Sequence, residues 1–142
     1  MMEFRDLNGN GRLDPYEDPR RPIDERVEDL LSQMTLAEKA GMMFHPMIGM
    51  GEDGSLLEEA DVLNGAGTTE LIARRFINHF NVYAMAAPKE AAEWHNRIQK
   101  AAEHTRLGIP VTIASDPRHG FSKNPATSMP AGKFSQLSLI HI

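Results

Sequence analysis

Asp116, Arg118 and His119 form the ionisable cluster with the clearest chemical potential in this chain of 142 residues. They follow Val111, Thr112 and Ile113, a β-branched run opened by Gly108-Ile109-Pro110 and broken by Asp116-Pro117, which reads as a buried strand and the turn that ends it. In parallel sheets, whether open or closed into a (β/α)8 barrel, ligands sit at the carboxyl ends of the strands. A carboxylate, a guanidinium and an imidazole placed there can hold a polar substrate. The plainer reading of the same residues is a strand-stop turn in which Arg118 is the ion-pair partner of Asp116.

A second constellation lies near the N-terminus, over residues 6–17. Asp6, Asn8 and Asn10 offer side-chain oxygens at positions 1, 3 and 5 of an EF-hand loop template, and Gly11 permits the sharp turn at position 6. Arg12 would offer its carbonyl, Asp14 occupies the often water-bridged position 9, and Glu17 can give a bidentate carboxylate at position 12. Hard oxygen donors in that number suit Ca²⁺. Against a full EF-hand, no helix precedes Asp6 and Pro15 falls inside the loop; with Asp6 and Glu17 as the carboxylates besides Asp14, a weak extracellular-type site with a dissociation constant of about 10⁻⁴ to 10⁻³ M is expected. The alternative is a turn-rich stretch punctuated by Asn-Gly and Asp-Pro pairs.

Helices must position both constellations. Val27, Leu30, Leu31 and Met34 recur at three-to-four spacing, which predicts a helix over 24–33 with one apolar face. Thr35-Leu36-Ala37-Glu38 is a capping box that starts a second helix, because hydroxyl and carboxylate each satisfy an otherwise unpaired backbone N–H. Residues 46–51 should form a first strand or its exit loop, with His45 packed rather than catalytic. Residues 49–67, rich in Gly, Asp and Glu, read as a long exposed excursion with room for a short helix over 56–63. Thr68 or Thr69 caps a short helix over 70–75 with Leu71, Ile72 and Phe76 inward, and residues 79–84 alternate as a strand. Pro88 opens the longest helix, over 88–105, packed through Ala91, Trp94, His95, Ile98, Ala101 and Ala102. Trp94 on a helix face reads as core, not as a platform for a ligand. Leu107-Gly108 ends that helix and the 111–113 strand follows, so strand, helix and strand make a βαβ unit and a parallel pair.

Composition narrows the function. Twenty acidic and fifteen basic residues give a net charge of −5 and are mixed along the chain, which excludes the clustered basic face that nucleic acid requires. With no cysteine, disulfides and thiolate metal sites are excluded. No run approaches a membrane span, and residues 1–6 lack the features of a secretory signal. Nine methionines are scattered, as flexible core filling is.

The stretch from Leu107 to Gly120, Leu-Gly-Ile-Pro-Val-Thr-Ile-Ala-Ser-Asp-Pro-Arg-His-Gly, resembles the substrate-binding strand of family 3 glycoside hydrolases, the β-glucosidase-like enzymes. Residues 26–44 resemble that family's N-terminal helices, and residues 92–110 the helix that feeds the strand. The resemblance runs to Gln136. It implies an α/β fold, the N-terminal part of a (β/α)8 TIM-like barrel, and a barrel needs about 200 residues or more, so the barrel would be incomplete here. It implies that Asp116 hydrogen-bonds the hydroxyls of a terminal, non-reducing sugar and that His119-Gly120 closes the loop; Arg118 would then orient Asp116 or line the site. A β-glucoside or related oligosaccharide is then the expected partner, and a periplasmic or extracellular location is expected with it.

A retaining glycosidase needs two carboxyl groups about 5 to 5.5 Å apart, one as nucleophile and one as acid/base. The resemblance puts both on later parts of the family's chain, so no catalytic residue is assigned among these residues. After residue 136 the family pattern is lost in Leu-Ser-Leu-Ile-His-Ile, which reads as a non-native tail. The expected organisation is therefore an arm with a calcium loop over 1–22, a partial barrel over 23–136 and a tail over 137–142. Two other functions fit the sequence alone: a calcium-binding module, and a non-catalytic sugar-binding domain.

Overall fold

Thr35 caps the helix that follows it as its spacing demands: its hydroxyl accepts from the Glu38 N–H at 3.2 Å and the Glu38 carboxylate accepts from the Thr35 N–H at 2.8 Å. A computed structural model describes residues 4–59, 65–83 and 87–114. In order, a 3₁₀ turn at Pro15–Glu17 leads to helices α1 (Ile23–Gln33) and α2 (Leu36–Gly41), strand β1 (Met47–Ile48), helix α3 (Thr68–Ala73), strand β2 (His79–Val82), helix α4 (Pro88–Glu103) and strand β3 (Thr112–Ala114). Pro88 sits in the first turn of α4, where a missing N–H costs nothing. Past the C-terminal end of α3, Phe76 takes the left-handed position at φ 58° and the Ile77 N–H reaches back six positions to the Leu71 carbonyl, which satisfies one of the carbonyls the helix end leaves open.

The three strands form one parallel sheet in the order β1-β2-β3. Met47 stands beside Asn81, and His79, Phe80 and Asn81 stand beside Thr112, Ile113 and Ala114. The expected βαβ unit is therefore present, and β1-α3-β2 adds a second. Side chains alternate between the faces of a strand, so Ile48, Phe80 and Val82 share one face, and there they pack with Leu71, Ile72, Trp94, Ile98 and Ala102. Trp94, Phe80, Ile72 and Ile98 are the largest fully buried side chains, each contributing roughly 1.5–3 kcal/mol by leaving water. The opposite face carries Met47, His79, Asn81 and Thr112, which stand outside that core cluster; Met47 is 38% exposed.

Several expectations are corrected. Residues 49–67 are not simply an exposed excursion: Gly49, Met50, Gly54, Ala66 and Gly67 are buried, and no helix forms in the described part of 56–63. The glycines are there for close approach. A Cβ on Gly54 would meet the Glu90 carbonyl, and one on Gly67 would overlap the Glu58 carbonyl. His95 is exposed and not part of the packed face of α4. His45 is exposed too, and its ring meets His79 edge to face at 6.4 Å rather than packing in the core. The apolar face of α1 is half open, with Val27 49% and Leu31 43% exposed, although Met34 beyond it is buried.

Arg106 ties this helical layer to the sheet. Its guanidinium donates to both Glu38 oxygens, at 3.0 and 2.6 Å, and to the Gln33 carbonyl at 2.9 Å. The Arg106 hydrogen bonds hold the Glu38 carboxyl down from its usual 4.5 to about 2 despite its burial. A carboxyl with a depressed folded pKa stabilises the fold above its unfolded pKa, and that contribution is lost as pH falls through the folded one. Unfolding followed from pH 6 to pH 2 should therefore show about 2 kcal/mol of stability lost below pH 4.5, the full shift being discounted because Arg106 is half in solvent. Glu38→Gln should flatten that slope; an unchanged slope would place the acid sensitivity elsewhere.

Candidate functional site

Of the sequence-derived site residues, Asp116, Arg118 and His119 lie outside the described residues, as do residues 137–142. The strand that leads to them is described, and it is closely held. The Gln99 side chain makes a two-point clamp on Val111, donating to its carbonyl at 2.7 Å and accepting from its N–H at 3.0 Å. Asn78 donates from its amide to the Ile109 carbonyl at 3.0 Å, and its backbone carbonyl accepts from the Thr112 N–H at 2.8 Å. Gln99 and Asn78 are positioning residues that sequence reading missed. A polar side chain on an amphipathic helix gives no sign that it will bond backbone twelve residues away.

The carboxyl ends of β1 and β2 meet the same edge of the sheet. Gly49 follows β1, and a Cβ there would press on the Tyr83 ring, so glycine lets the two strand exits close together. Beyond it, the Ser55 N–H donates to the Asp53 carboxylate at 3.0 Å, and Ser55 hydrogen bonds lower the Asp53 pKa. Arg97 reaches the Asp53 carbonyl at 3.4 Å and fastens this loop to α4.

The oxygen-rich loop is described in full. Asp6 accepts from the N–H groups of Asn10 and Gly11 at 3.1 and 2.7 Å, Asn8 from Asn10 at 3.1 Å and Asn10 from Arg12 at 2.8 Å. Gly9 and Gly11 take left-handed φ values of 69° and 77°, as tight successive turns require. The amides of Asn8 and Asn10 both reach Asp14 Oδ2 at 2.6 Å, so three side chains converge on one point. Glu17 departs from the template. Its Oε1 accepts from the Leu7 N–H at 2.6 Å and its Oε2 from the Asp14 N–H at 2.9 Å, so both oxygens already serve backbone donors. Among the described residues, no three or more His, Cys, Asp or Glu gather as a metal site; the loop's donors are half amide. Close by, Arg20 hydrogen bonds hold the Asp18 carboxyl at about 2. Burial, with Glu17 and Asp14 beside it, raises the pKa of the Tyr16 phenol.

No family profile matches the chain. Curated relatives do. The chain is 44% identical over 143 residues to a periplasmic beta-glucosidase/beta-xylosidase of Dickeya chrysanthemi, an alignment covering 95% of this chain and 20% of that protein. It is 43% identical over 122 residues to beta-glucosidase C of Emericella nidulans, covering 85% of this chain and 19% of that protein. Over most of its length the chain is similar to these beta-glucosidases, relatives that belong to the family 3 glycoside hydrolases. It spans about a fifth of the length of the curated relatives it matches. The family resemblance read from residues 26–44, 92–110 and 107–120 is thereby borne out, and the described fold agrees at the coarser level of a helical layer on a parallel sheet.

Proposed function

We propose that this chain forms the first part of the sugar-holding barrel of a retaining, β-glucosidase-like glycoside hydrolase. Its identity to β-glucosidases over nearly all of its length is the observation that carries the reading. The sheet supports it. A parallel sheet is normally covered on both faces; among the described residues the core cluster packs on the face of Phe80 and Val82, while Met47, His79, Asn81 and Thr112 lie on the other face. In a (β/α)8 barrel that face is the interior, filled by side chains from further strands. Asp116, one alternation beyond Ala114, would reach the strand end on that side and accept hydrogen bonds from the hydroxyls of a terminal β-glucosyl residue, with Arg118 and His119 lining the loop. The nucleophile and the acid/base would come from outside these residues, so hydrolysis belongs to a longer chain. A location outside the cytoplasm follows by analogy with the periplasmic relative; no described helix is long and apolar enough to cross a membrane.

A chimera tests the reading. This chain replaces the matching fifth of the Dickeya enzyme, and hydrolysis of an aryl β-glucoside is followed. Turnover that survives the graft supports the assignment; a folded chimera without turnover overturns it.

The loop over residues 6–17 is proposed as a structural calcium site in the same chain. Its donors fit a hard divalent cation: side-chain oxygens of Asp6, Asn8, Asn10 and Asp14, the Arg12 carbonyl, and Glu17 through lone pairs its backbone donors leave free. The cation would supply charge to hold the loop closed and takes no part in the chemistry. Calorimetry should read binding at about 10⁻⁴ to 10⁻³ M, and saturating Ca²⁺ should raise the thermal midpoint by a few degrees. Asp6→Ala should remove both effects. No heat from the unaltered chain would dismiss the site.

A further inference from the structure

The arm ahead of α1 does not hang free, as a separate N-terminal unit would. It crosses the molecule and grips the corner between α4 and β3 at three points. Arg5 pairs with Glu103 at the last residue of α4. The Leu7 carbonyl lies so close to Gly108 that a Cβ built there would overlap it, and Gly108 itself holds a left-handed φ of 57°. Tyr16 is 5% exposed and donates its hydroxyl to the Leu107 carbonyl at 3.3 Å. Two of these points are rigidly related, because one Glu17 carboxylate accepts from the N–H groups of Leu7 and Asp14 and so binds the start of the loop to the turn that carries Tyr16. The turn is in turn fixed to α1: Asp29 accepts from the Tyr16 N–H at 3.2 Å and Arg26 donates to the Tyr16 carbonyl at 3.2 Å.

The gripped corner launches a vulnerable strand. β3 is three residues long and, among the described residues, pairs only with β2. A strand of three residues opens locally at little cost, so its placement depends on the corner that feeds it. From this geometry we infer that Leu7 and Tyr16, set by Glu17, are positioning residues: the arm is a strap that fixes the Leu107–Gly108 turn and thereby the register of β3. The functional consequence rests on the sugar-binding role proposed above for the residues after β3. In that setting the strap fixes where the carboxylate of Asp116 meets the sugar, acting from 100 positions earlier in the sequence without touching the substrate.

Hydrogen exchange on this chain tests the strap directly, comparing Tyr16→Ala, Tyr16→Phe and Gly108→Ala with the unaltered protein. Tyr16→Ala and Gly108→Ala should speed exchange of the amides of residues 108–109 and 111–114 about tenfold or more while α3 and β2 keep their protection, since only the corner opens. Tyr16→Phe keeps the buried ring and loses one long hydrogen bond, so it should stay within about threefold of the unaltered chain. Faster exchange throughout the fold in Tyr16→Ala, or no change at 108–114 in Tyr16→Phe, Tyr16→Ala and Gly108→Ala together, overturns the strap. In the Dickeya chimera, Tyr16→Ala should raise KM several-fold with kcat changed less, and Tyr16→Phe should restore KM. Local opening with an unchanged KM overturns the link from strap to sugar. An inactive parent chimera overturns the glycosidase reading alone, because the exchange result stands without it.

Discussion

Asp116→Asn in the active chimera should lower kcat/KM for a β-glucoside by about 10²- to 10³-fold while leaving the thermal midpoint within a few degrees. The size follows from the hydrogen bonds at stake. A bond to a charged acceptor contributes about 1.5–3 kcal/mol, and a carboxylate that accepts from two sugar hydroxyls loses roughly 3–4 kcal/mol when it becomes an amide. Every 1.4 kcal/mol is about tenfold. The amide is nearly the same shape, so the fold keeps its packing and the loss appears in substrate binding. If the hydroxyls are held equally in the bound and transition states, KM rises and kcat stays; if the grip tightens as the ring flattens, kcat falls as well. The competing reading, a strand-stop turn with Arg118 as ion-pair partner, makes the opposite prediction. There the change in kcat/KM would stay within a few-fold, and the thermal midpoint would fall instead. Kinetics and melting on the same pair of proteins therefore separate a ligand carboxylate from a structural one.

Much of the local structure was legible because its causes are local. The capping box at Thr35 and Glu38, the proline start of α4, and the burial of Trp94 and Ile98 all follow from spacings within one or two helical turns. The alternation of Phe80 and Val82 against His79 and Asn81 likewise gave the two faces of β2. What stayed hidden depends on contacts between distant positions. Arg106 and Glu38 are 68 residues apart, and Tyr16 and Leu107 are 91 apart; nothing in the neighbourhood of either residue marks the partner. The glycines of 49–67 misled for a related reason. Glycine permits a loose loop and also a backbone contact too close for a Cβ, and Gly54 and Gly67 serve the second purpose. Apolar neighbours in sequence place His45 in packing, and helical spacing places His95 on the packed face of α4, yet both residues are exposed. The family was legible from motif order alone. Three strands do not determine a barrel, because an open doubly wound sheet begins the same way.

That last ambiguity can be attacked through the two faces of β2. Phe80→Ala in this chain should cost about 3–5 kcal/mol, the range for truncating a fully buried aromatic, since Phe80 is 0% exposed among Leu71, Trp94 and Ile98. Against a total stability of about 5–15 kcal/mol, such a loss brings the domain close to unfolding at ambient temperature. His79→Ala, one residue earlier on the other face, should cost about 1 kcal/mol or less, mainly its edge-to-face contact with His45. Denaturant midpoints of the two variants thus measure the coverage of each face. The ratio should change in the chimera. If further strands close the sheet into a barrel, His79 becomes interior, and its removal should then cost about 2 kcal/mol or more by leaving a void. If the sheet instead stays open with His79 at its surface, the substitution costs the same in both proteins. A single residue thereby distinguishes a closed barrel from an open sheet.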